Sequence, residues 1–303
     1  MKKITLRKYI KKAKIIRYYI EYLLSLLIFK IFSKMSVKTA SNVCGTISKY
    51  VTKIICKING RHQIAMQSLS LCFPEKTEVQ KEQILDKLYE NIGRFVGEYI
   101  TQDKIDSAWL KENVELVNTE IAERYFDKGF FGITGHFFGN WELLHHFLKS
   151  RGQMLNVIYR KQNNTFIEEK FVDSRPVNQI PKGSNAMRQI MGLMKDKKII
   201  GILIDQRDNR GARFPFFGMG ARTGVAIQRL SLKYDYKMIC AKCIRKPEDP
   251  TKFTLTFFPP LEIEETGNID EDIKLLTQKT LDVTEAWIRE NPEQWFWIYN
   301  RWK

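Results

Sequence analysis

The stretch GFFGITGHFFGNWELLHHFLKS, residues 129–150, changes its hydrophobic pattern partway along. Its first part, GFFGITG, is a short continuous apolar run of the kind that forms a buried strand. Its last part, NWELLHHFLKS, has an amphipathic pattern and predicts a helix. His136 lies between the two. The stretch therefore predicts a strand, a loop and a helix, with a histidine at the carboxyl end of the strand.

The same alternation continues along the chain after this stretch. MLNVIYR, KIIGILID, KMICAKCI and KFTLTFF predict further strands, and NAMRQIMGLMKD and TGVAIQRLSLKY predict further helices. Alternating strands and helices indicate an α/β fold with a mainly parallel sheet flanked by helices. Ligands bind at the carboxyl ends of the strands in such sheets. We therefore expect the functional site to lie around His136.

The chain before this region has a helical pattern. In residues 78–100, EVQKEQILDKLYENIGRFVGEYI, apolar residues recur close to every 3.6 positions, and Pro74 marks a break upstream. We predict a basic N-terminus with a membrane-attaching helix over residues 1–35 and a catalytic domain over residues 36–303. That domain is predicted to be helical over 36–112 and α/β over 113–303.

The charge of the chain is strongly positive. It has 50 Lys and Arg against 34 Asp and Glu, a formal net charge of +16. Such an excess favours an anionic partner, whether nucleic acid, a membrane surface or an acidic protein, and does not by itself choose among them.

The N-terminus points to the membrane. Residues 1–17 contain no acidic residue, and the apolar run Tyr22–Phe29 that follows is shorter than the ~20 residues that a bilayer span requires. One interpretation is a buried amphipathic helix of the domain. We favour the other, a membrane-attaching helix, interfacial or marginally spanning, with its basic end at the cytoplasmic face.

Several common site chemistries find no support in the sequence. The five cysteines are an odd number, which suits a reducing compartment, and Cys240 and Cys243 are predicted to point to opposite faces of a strand. His145 and His146 are interpreted as packing residues, because HExxH is absent. GxSxG and glycine-rich phosphate loops are also absent. We therefore predict no metal and no other cofactor.

His136 and Glu142 have the chemistry of a general base and its orienting partner. Asn140 is predicted to be a helix N-cap, which places Glu142 in the first helical turn. In the alternative interpretation, Glu142 only complements the helix dipole and His136 is a buried structural histidine. The spacing alone leaves both open. A histidine base acting on a hydroxyl, in a basic protein attached to a membrane, points to acyl transfer onto a lipid hydroxyl.

Blocks of sequence across nearly the whole chain carry a resemblance to a known family. They are RHQIAMQSLSLCFPE, ENIGRFVGEY, TGHFFGNWELL, VIYRKQNN, ILIDQ with FPFFGMGARTG, and PEQWFWIYNRWK. In this order they resemble the late acyltransferases of bacterial lipid A biosynthesis, the lauroyl and myristoyl transferases. The resemblance implies a glycerolipid-acyltransferase-like fold, with 36–303 as the acyltransferase domain.

The resemblance also implies an activity and a location. A fatty acyl chain passes from acyl carrier protein to a hydroxyl of a Kdo-bearing lipid A precursor at the cytoplasmic face of the inner membrane. His136 is the implied base and Glu142 its partner, and no metal or nucleotide is implied. Arg160, Asp205 and Gln206 are the implied substrate-binding residues, although a turn role for Asp205 and Gln206 stays open. The implied partners are the carrier protein, the anionic membrane and the precursor, not nucleic acid.

The chain departs from the family pattern at two points. Tyr299 stands where the family commonly has a histidine, so no role is carried over to it, and the other departure concerns the spacing of His136 and Glu142. The family usually has four residues between the histidine and the acid, whereas HFFGNWE has five. An outward bulge of Phe137 or Phe138 would keep His136 and Glu142 paired.

Two alternative functions remain. The first is a glycerolipid or lysophospholipid acyltransferase, a family that places Phe-Pro-Glu-Gly-Thr well after the histidine, whereas FPEK precedes it here. The second is a basic membrane-binding or nucleic-acid-binding protein without enzymatic activity.

Overall fold

The amino-terminal third of the chain is helical. The computed structural model describes residues 2–172 and 175–303, with side chains over 13–170 and 175–303. The helices are α1 (Lys2–Phe32), α2 (Val37–Ile58), α3 (Arg61–Cys72), α4 (Glu78–Ile100) and α5 (Ser107–Asn113). Ser36 caps α2, and Thr77 forms a capping box with Gln80 at the start of α4.

Strands and helices alternate from Val114 onward. The strands are β1 (Val114–Val117), β2 (Phe130–Thr134), β3 (Leu155–Tyr159), β4 (Asn178–Pro181), β5 (Ile199–Leu203), β6 (Ala212–Phe216), β7 (Met219–Thr223), β8 (Met238–Arg245) and β9 (Phe253–Pro260). The helices are α6 (Thr119–Glu123), α7 (Leu143–Ser150), α8 (Thr165–Ile167), α9 (Ala186–Lys195), α10 (Ala226–Tyr234) and α11 (Ile269–Glu290). Glu168–Val172 continues α8 as a π-helix.

Seven strands form one sheet in the order β1-β9-β8-β2-β5-β3-β4, and β6 and β7 form a separate antiparallel hairpin. All neighbours in the large sheet are parallel except β8 and β9. The predicted mainly parallel α/β sheet is confirmed, as are the strands and helices predicted from the quoted segments. The short strands β1 and β4 and the hairpin were not predicted, because their sequences lack the continuous apolar runs of the other strands.

The sheet separates two cores, and β2 contributes to both. Phe130 packs into the core that contains Leu144 and Phe147 of α7. Phe131 and Ile133 point to the opposite core, which contains residues of α4, α10 and α11. Every residue of β2 is buried, as expected for a central parallel strand covered on both faces. β2 therefore fixes the position of the residues that follow it.

The CxxC spacing has the geometry predicted for it. Cys240 and Cys243 lie on β8, and they pack into opposite cores. Both thiols are buried, and burial raises the pKa of Cys240 to about 12. The two residues are part of the packing on either side of the sheet.

Helices α1 and α2 both carry exposed apolar side chains on one face. On α2 these are Val43, Ile47, Tyr50, Val51, Ile54, Ile55 and Ile58. The opposite face of α2 packs on α4 and contains buried residues such as Ala40 and Cys44. Within the part of the chain that the structure describes, no helix has both the length and the apolar character needed to cross a bilayer.

Candidate active site

The carboxyl ends of adjacent parallel strands bring the predicted site residues together. β2, β5, β3 and β4 are consecutive in the sheet, and their registers pair Thr134 with Leu203 and Tyr159 with Pro181. The residues just beyond these strand ends are His136 after β2, Asp205 and Gln206 after β5, Arg160 after β3 and Lys182 after β4. They form one polar edge of the sheet.

His136 is hydrogen-bonded to Asp205 through both its ring and its backbone. Nδ1 of His136 lies 2.6 Å from Oδ1 of Asp205, and the His136 backbone N–H donates to Oδ2 at 2.8 Å. Trp295 donates its indole N–H to the same Oδ2 at 2.7 Å. Asp205 is buried, whereas the His136 side chain is 17% exposed. The imidazole is thus held by Asp205 through Nδ1 and is partly exposed.

Asp205 is held in its ionised form. Burial alone would raise the pKa of this carboxyl, but the positive charge that His136 can carry and the hydrogen bonds from His136 and Trp295 lower it overall. A buried carboxylate that accepts an imidazole N–H orients the ring and stabilises the imidazolium after proton transfer.

The other ring nitrogen of His136 faces Gln206. Nε2 lies 3.1 Å from Nε2 of Gln206, whose Oε1 accepts a hydrogen bond of 2.7 Å from Lys182. The Lys182 ammonium has only donors, so the amide oxygen of Gln206 must face it and the amide N–H must face His136. Nε2 of His136 is then the acceptor, and Nδ1 carries the proton donated to Asp205. This is the tautomer that a general base acting through Nε2 requires.

Glu142 does not have the position predicted for it. α7 begins at Leu143, so Glu142 lies at the N-cap position and not in the first helical turn. Asn140 is not the cap; it has a left-handed backbone with φ of 80°, and its side-chain oxygen accepts the backbone N–H of Glu142. The loop after β2 is therefore longer than the sequence interpretation assumed.

The Glu142 carboxylate is engaged by other groups. It is ion-paired with Arg175 and lies 3.3 Å from Nδ1 of His145, and Trp141 donates its indole N–H to Oε1 at 3.1 Å. In the part of the chain that the structure describes, His136 pairs with Asp205 and not with Glu142. Burial would raise the pKa of Glu142, but the contacts with His145 and Arg175 lower it to about 2. Its role in catalysis stays a prediction.

The extra phenylalanine of HFFGNWE does not bulge outward. Phe137 is 1% exposed and pairs with Trp295 in an isolated β-bridge, and its ring contacts Trp287. Phe138 is also buried, between the rings of Phe95, Trp141 and Phe296. Since exposing either ring would forfeit apolar burial, the loop keeps both inside, and the expected His136–Glu142 pair is not formed.

A buried ion pair contacts the loop between His136 and Glu142. Arg245 of β8 donates to both oxygens of Glu98 of α4, at 2.6 and 2.8 Å, and both residues are almost fully buried. Arg245 also donates to the carbonyl of Phe138, and Asn140 donates to Glu98. The Glu98–Arg245 pair therefore fixes two points of the loop between His136 and Glu142.

Of the predicted substrate-binding residues, Gln206 touches the base, Asp205 is its partner and Arg160 is exposed beside them. Trp295 and Lys182 were not assigned to the site. The signal for Trp295 was the closing Trp-x-Trp block, whereas Lys182 lies in no block that the resemblance covers. Among the described residues, no group of three or more His, Cys, Asp or Glu could hold a metal ion.

The family model for bacterial lipid A biosynthesis acyltransferases matches residues 7–303 of the chain. The chain belongs to this family. The resemblance inferred from the ordered blocks of sequence is thereby confirmed. As a member of the family, the protein is assigned to the acyltransferases of lipid A biosynthesis.

Curated relatives agree with this assignment. The chain is 26% identical over 259 residues to the lipid A biosynthesis palmitoleoyltransferase of Escherichia coli strain K12, covering 80% of this chain and 79% of that protein. It has the same identity and coverage with the lipid A biosynthesis acyltransferase of Shigella flexneri. Both relatives are thus acyltransferases of lipid A biosynthesis.

Proposed function

We propose that this protein transfers a fatty acyl chain from acyl carrier protein to a hydroxyl of a Kdo-bearing lipid A precursor. The observation that carries the proposal is the His136–Asp205 pair at the sheet edge, with Nε2 of His136 on the side of the ring away from Asp205, where it faces Gln206. Membership of the lipid A biosynthesis acyltransferase family supports the acceptor class. The net charge of +16 suits both an acidic carrier protein and an anionic lipid.

The proposed reaction is direct attack. The acceptor O–H gives its proton to Nε2 of His136 as its oxygen bonds to the thioester carbonyl carbon, and Asp205 stabilises the imidazolium. The carbonyl oxygen becomes an oxyanion, which hydrogen-bond donors at the polar edge of the sheet stabilise. The C–S bond then breaks, and the leaving thiolate takes the proton from Nε2. The products are the acyl ester and the free carrier thiol.

A covalent acyl-cysteine is not part of this scheme. All five cysteines are buried, and burial raises the pKa of each thiol, to about 11 for Cys44 and about 12 for Cys240. Thiolate formation, which cysteine nucleophiles need, is disfavoured at each of them.

We propose Asp205 as the partner of His136, with Glu142 as an anchor of the loop. For Glu142 to reach His136, its buried pairing with Arg175 and His145 would have to break. Removing one partner of a buried ion pair typically costs about 3–5 kcal/mol. Because Asp205 already accepts two hydrogen bonds from His136, no such rearrangement is needed for it to act.

We further propose that the protein acts at the cytoplasmic face of the inner membrane, attached through α1 and α2. On α1 the exposed apolar residues recur every four positions and include Tyr19, Leu23, Leu27 and Ile31. α2 adds the exposed apolar face described above, and it carries four lysines and no carboxylate. A basic amphipathic helix of this kind suits the interface of an anionic membrane.

The test is mass spectrometry of the product. Vesicles with the protein are given acyl-carrier-protein thioesters and an under-acylated Kdo-lipid A precursor, with His136→Ala as the inactive reference. We expect a mass gain of one acyl group that is lost in the variant. Acylation of a lysophospholipid in place of the precursor would show that the protein is a glycerolipid or lysophospholipid acyltransferase. Acylation of neither acceptor, with intact binding to vesicles, would leave a binding protein without enzymatic activity.

A further inference from the structure

Gln206 occupies the position that the acceptor hydroxyl needs. A substrate O–H that gives its proton to Nε2 of His136 must lie within hydrogen-bond distance of that atom. The Gln206 amide lies there at 3.1 Å, and it is held by the 2.7 Å hydrogen bond from Lys182. Gln206 must therefore turn aside for the reaction, and Lys182 then loses its acceptor.

Lys182 and Arg160 lie side by side at the end of β3 and β4. The parallel register pairs Tyr159 with Pro181, and the next residue on each strand is Arg160 and Lys182. The Lys182 backbone N–H donates to the Tyr159 carbonyl at 2.8 Å, so the register continues to these two residues. Both side chains are exposed, and neither has a carboxylate partner within salt-bridge distance in the described part of the chain.

Two unpaired cations on adjacent strands form a site for a doubly charged anion. A guanidinium offers a planar fork and an ammonium a compact point charge, and both are used to bind phosphate. Asp205 and Glu142 are buried in the pairs described above, and Asp208, an exposed carboxylate close enough to act on the charge of Lys182, forms no ion pair with it among the described residues. A phosphate group is the anion whose charge and geometry fit this pair.

We propose that Lys182, together with Arg160, binds a phosphate group of the substrate and so releases Gln206 from His136. Lys182 is a substrate-positioning residue in this scheme. In the empty site it holds Gln206 over the base, and in the loaded site it holds the phosphate. The role of Lys182 in catalysis rests on the proposed acyl transfer. The phosphate belongs either to the acceptor lipid or to the prosthetic arm of the acyl carrier.

The first test does not require turnover. The full chain has only four histidines, so ¹⁵N-histidine labelling gives few ring signals, and His136→Ala identifies that of His136. Inorganic phosphate is titrated into the wild type, Lys182→Gln and the control Lys195→Gln. Lys195 is an exposed lysine at the end of α9, which leads into the opposite end of β5.

We expect phosphate to shift the Nε2 signal of His136 in the wild type and in Lys195→Gln but not in Lys182→Gln. Equal shifts in all three proteins, or none in the wild type, would overturn the proposal. This readout is independent of acyl transfer. A failure of the proposed function would appear separately, as absence of product in the wild type.

The second test assigns the source of the phosphate. In Lys182→Gln we expect the KM for the phosphate-bearing substrate to rise about tenfold, since the variant loses a charge-assisted hydrogen bond to the phosphate. Lys182→Arg should keep most of the wild-type KM. If Lys182→Gln raises the KM for the acceptor but not for a dephosphorylated acceptor, the phosphate belongs to the acceptor lipid. If the variant raises the KM for the carrier thioester, the phosphate belongs to the carrier. A KM unchanged for both substrates would contradict the proposal.

Discussion

The carboxylate of Asp205 reaches His136 across two neighbouring strands of the sheet, with 2.6 Å between Oδ1 and Nδ1 of the imidazole. The two residues are far apart in the sequence, and the carboxylate nearest in sequence, Glu142, is turned toward Arg175. The imidazole of His136 is therefore oriented by a residue of another strand and not by a carboxylate of the loop that follows it.

Replacement of Asp205 by Asn should reduce kcat by on the order of 10³-fold or more, since the neutral amide neither fixes the tautomer nor stabilises the imidazolium. Glu142→Gln should lower the free energy of unfolding by about 3 kcal/mol, because Arg175 loses its buried partner, with kcat of the folded fraction largely retained. Product formation and thermal unfolding of both variants are the measurements. A folded Glu142→Gln protein as inactive as His136→Ala, beside an active Asp205→Asn, would make Glu142 the partner of the base.

Replacement of Trp295 by Phe removes one hydrogen bond to Asp205 while it keeps an aromatic ring in the same buried position. Because that donor stabilises the ionised carboxylate, its loss should raise the pKa of Asp205 and cost about 1–3 kcal/mol of stability. We expect activity to fall more at acidic than at neutral pH. The measurement is the pH profile of kcat, with Trp297→Phe as control, since Trp297 donates to the Pro292 carbonyl instead. Parallel profiles for the wild type and Trp295→Phe would contradict this role.

Replacement of Glu98 by Gln should destabilise the protein by about 3–5 kcal/mol, because it leaves the Arg245 guanidinium buried without a counter-charge. The double variant Glu98→Gln, Arg245→Met should recover part of that loss. Urea unfolding of the single and double variants measures the coupling. Strictly additive losses would mean that the two residues act independently.

Replacement of His146 by Gln should make stability less sensitive to acid. Burial is the main reason that the pKa of His146 falls from 6.5 to about 3, and the charge of His145 lowers it further. Below pH 6.5 the unfolded chain takes up a proton that the folded protein does not, so this part of stability is complete above pH 6.5 and is lost as the pH falls toward 3. At pH 5 the loss is about 2 kcal/mol.

The measurement for His146 is the free energy of unfolding at pH 7 and pH 5 in the wild type and in His146→Gln. The difference between the two pH values should be smaller in the variant by about that amount. An equal loss in both proteins would show that His146 does not contribute to the acid sensitivity.

Replacement of Ile54 by Asp places a carboxylate in the exposed apolar face of α2, where Ile54 is 58% exposed. Binding to vesicles that contain anionic lipid should weaken at least tenfold, since apolar burial is lost and a repelled charge is introduced. Vesicle flotation measures this. The matched control is Leu275→Asp on α11, where the leucine is 45% exposed. Equal flotation of Ile54→Asp, Leu275→Asp and the wild type would argue against attachment through α2.

The sequence by itself determined β2, β3, β5, β8 and β9 of the sheet, because these strands are apolar runs and the helices between them are amphipathic. The sequence also predicted that four residues lie at one edge of the sheet, since the carboxyl ends of parallel strands share an edge. These residues are His136, Asp205, Gln206 and Arg160. The ordered blocks, Trp-x-Trp among them, were sufficient to indicate the family.

Only the tertiary structure decided which carboxylate meets His136. Glu142 is near in sequence, but the burial of Phe137 and Phe138 and the Glu98–Arg245 pair set the path of the loop and turn Glu142 away. Asp205 comes from a strand whose neighbour in the sheet cannot be read from sequence spacing. Lys182 and Trp295 enter the site in the same way, through strand order and chain packing, because hydrogen bonds of a few ångströms depend on long-range contacts that local patterns do not encode.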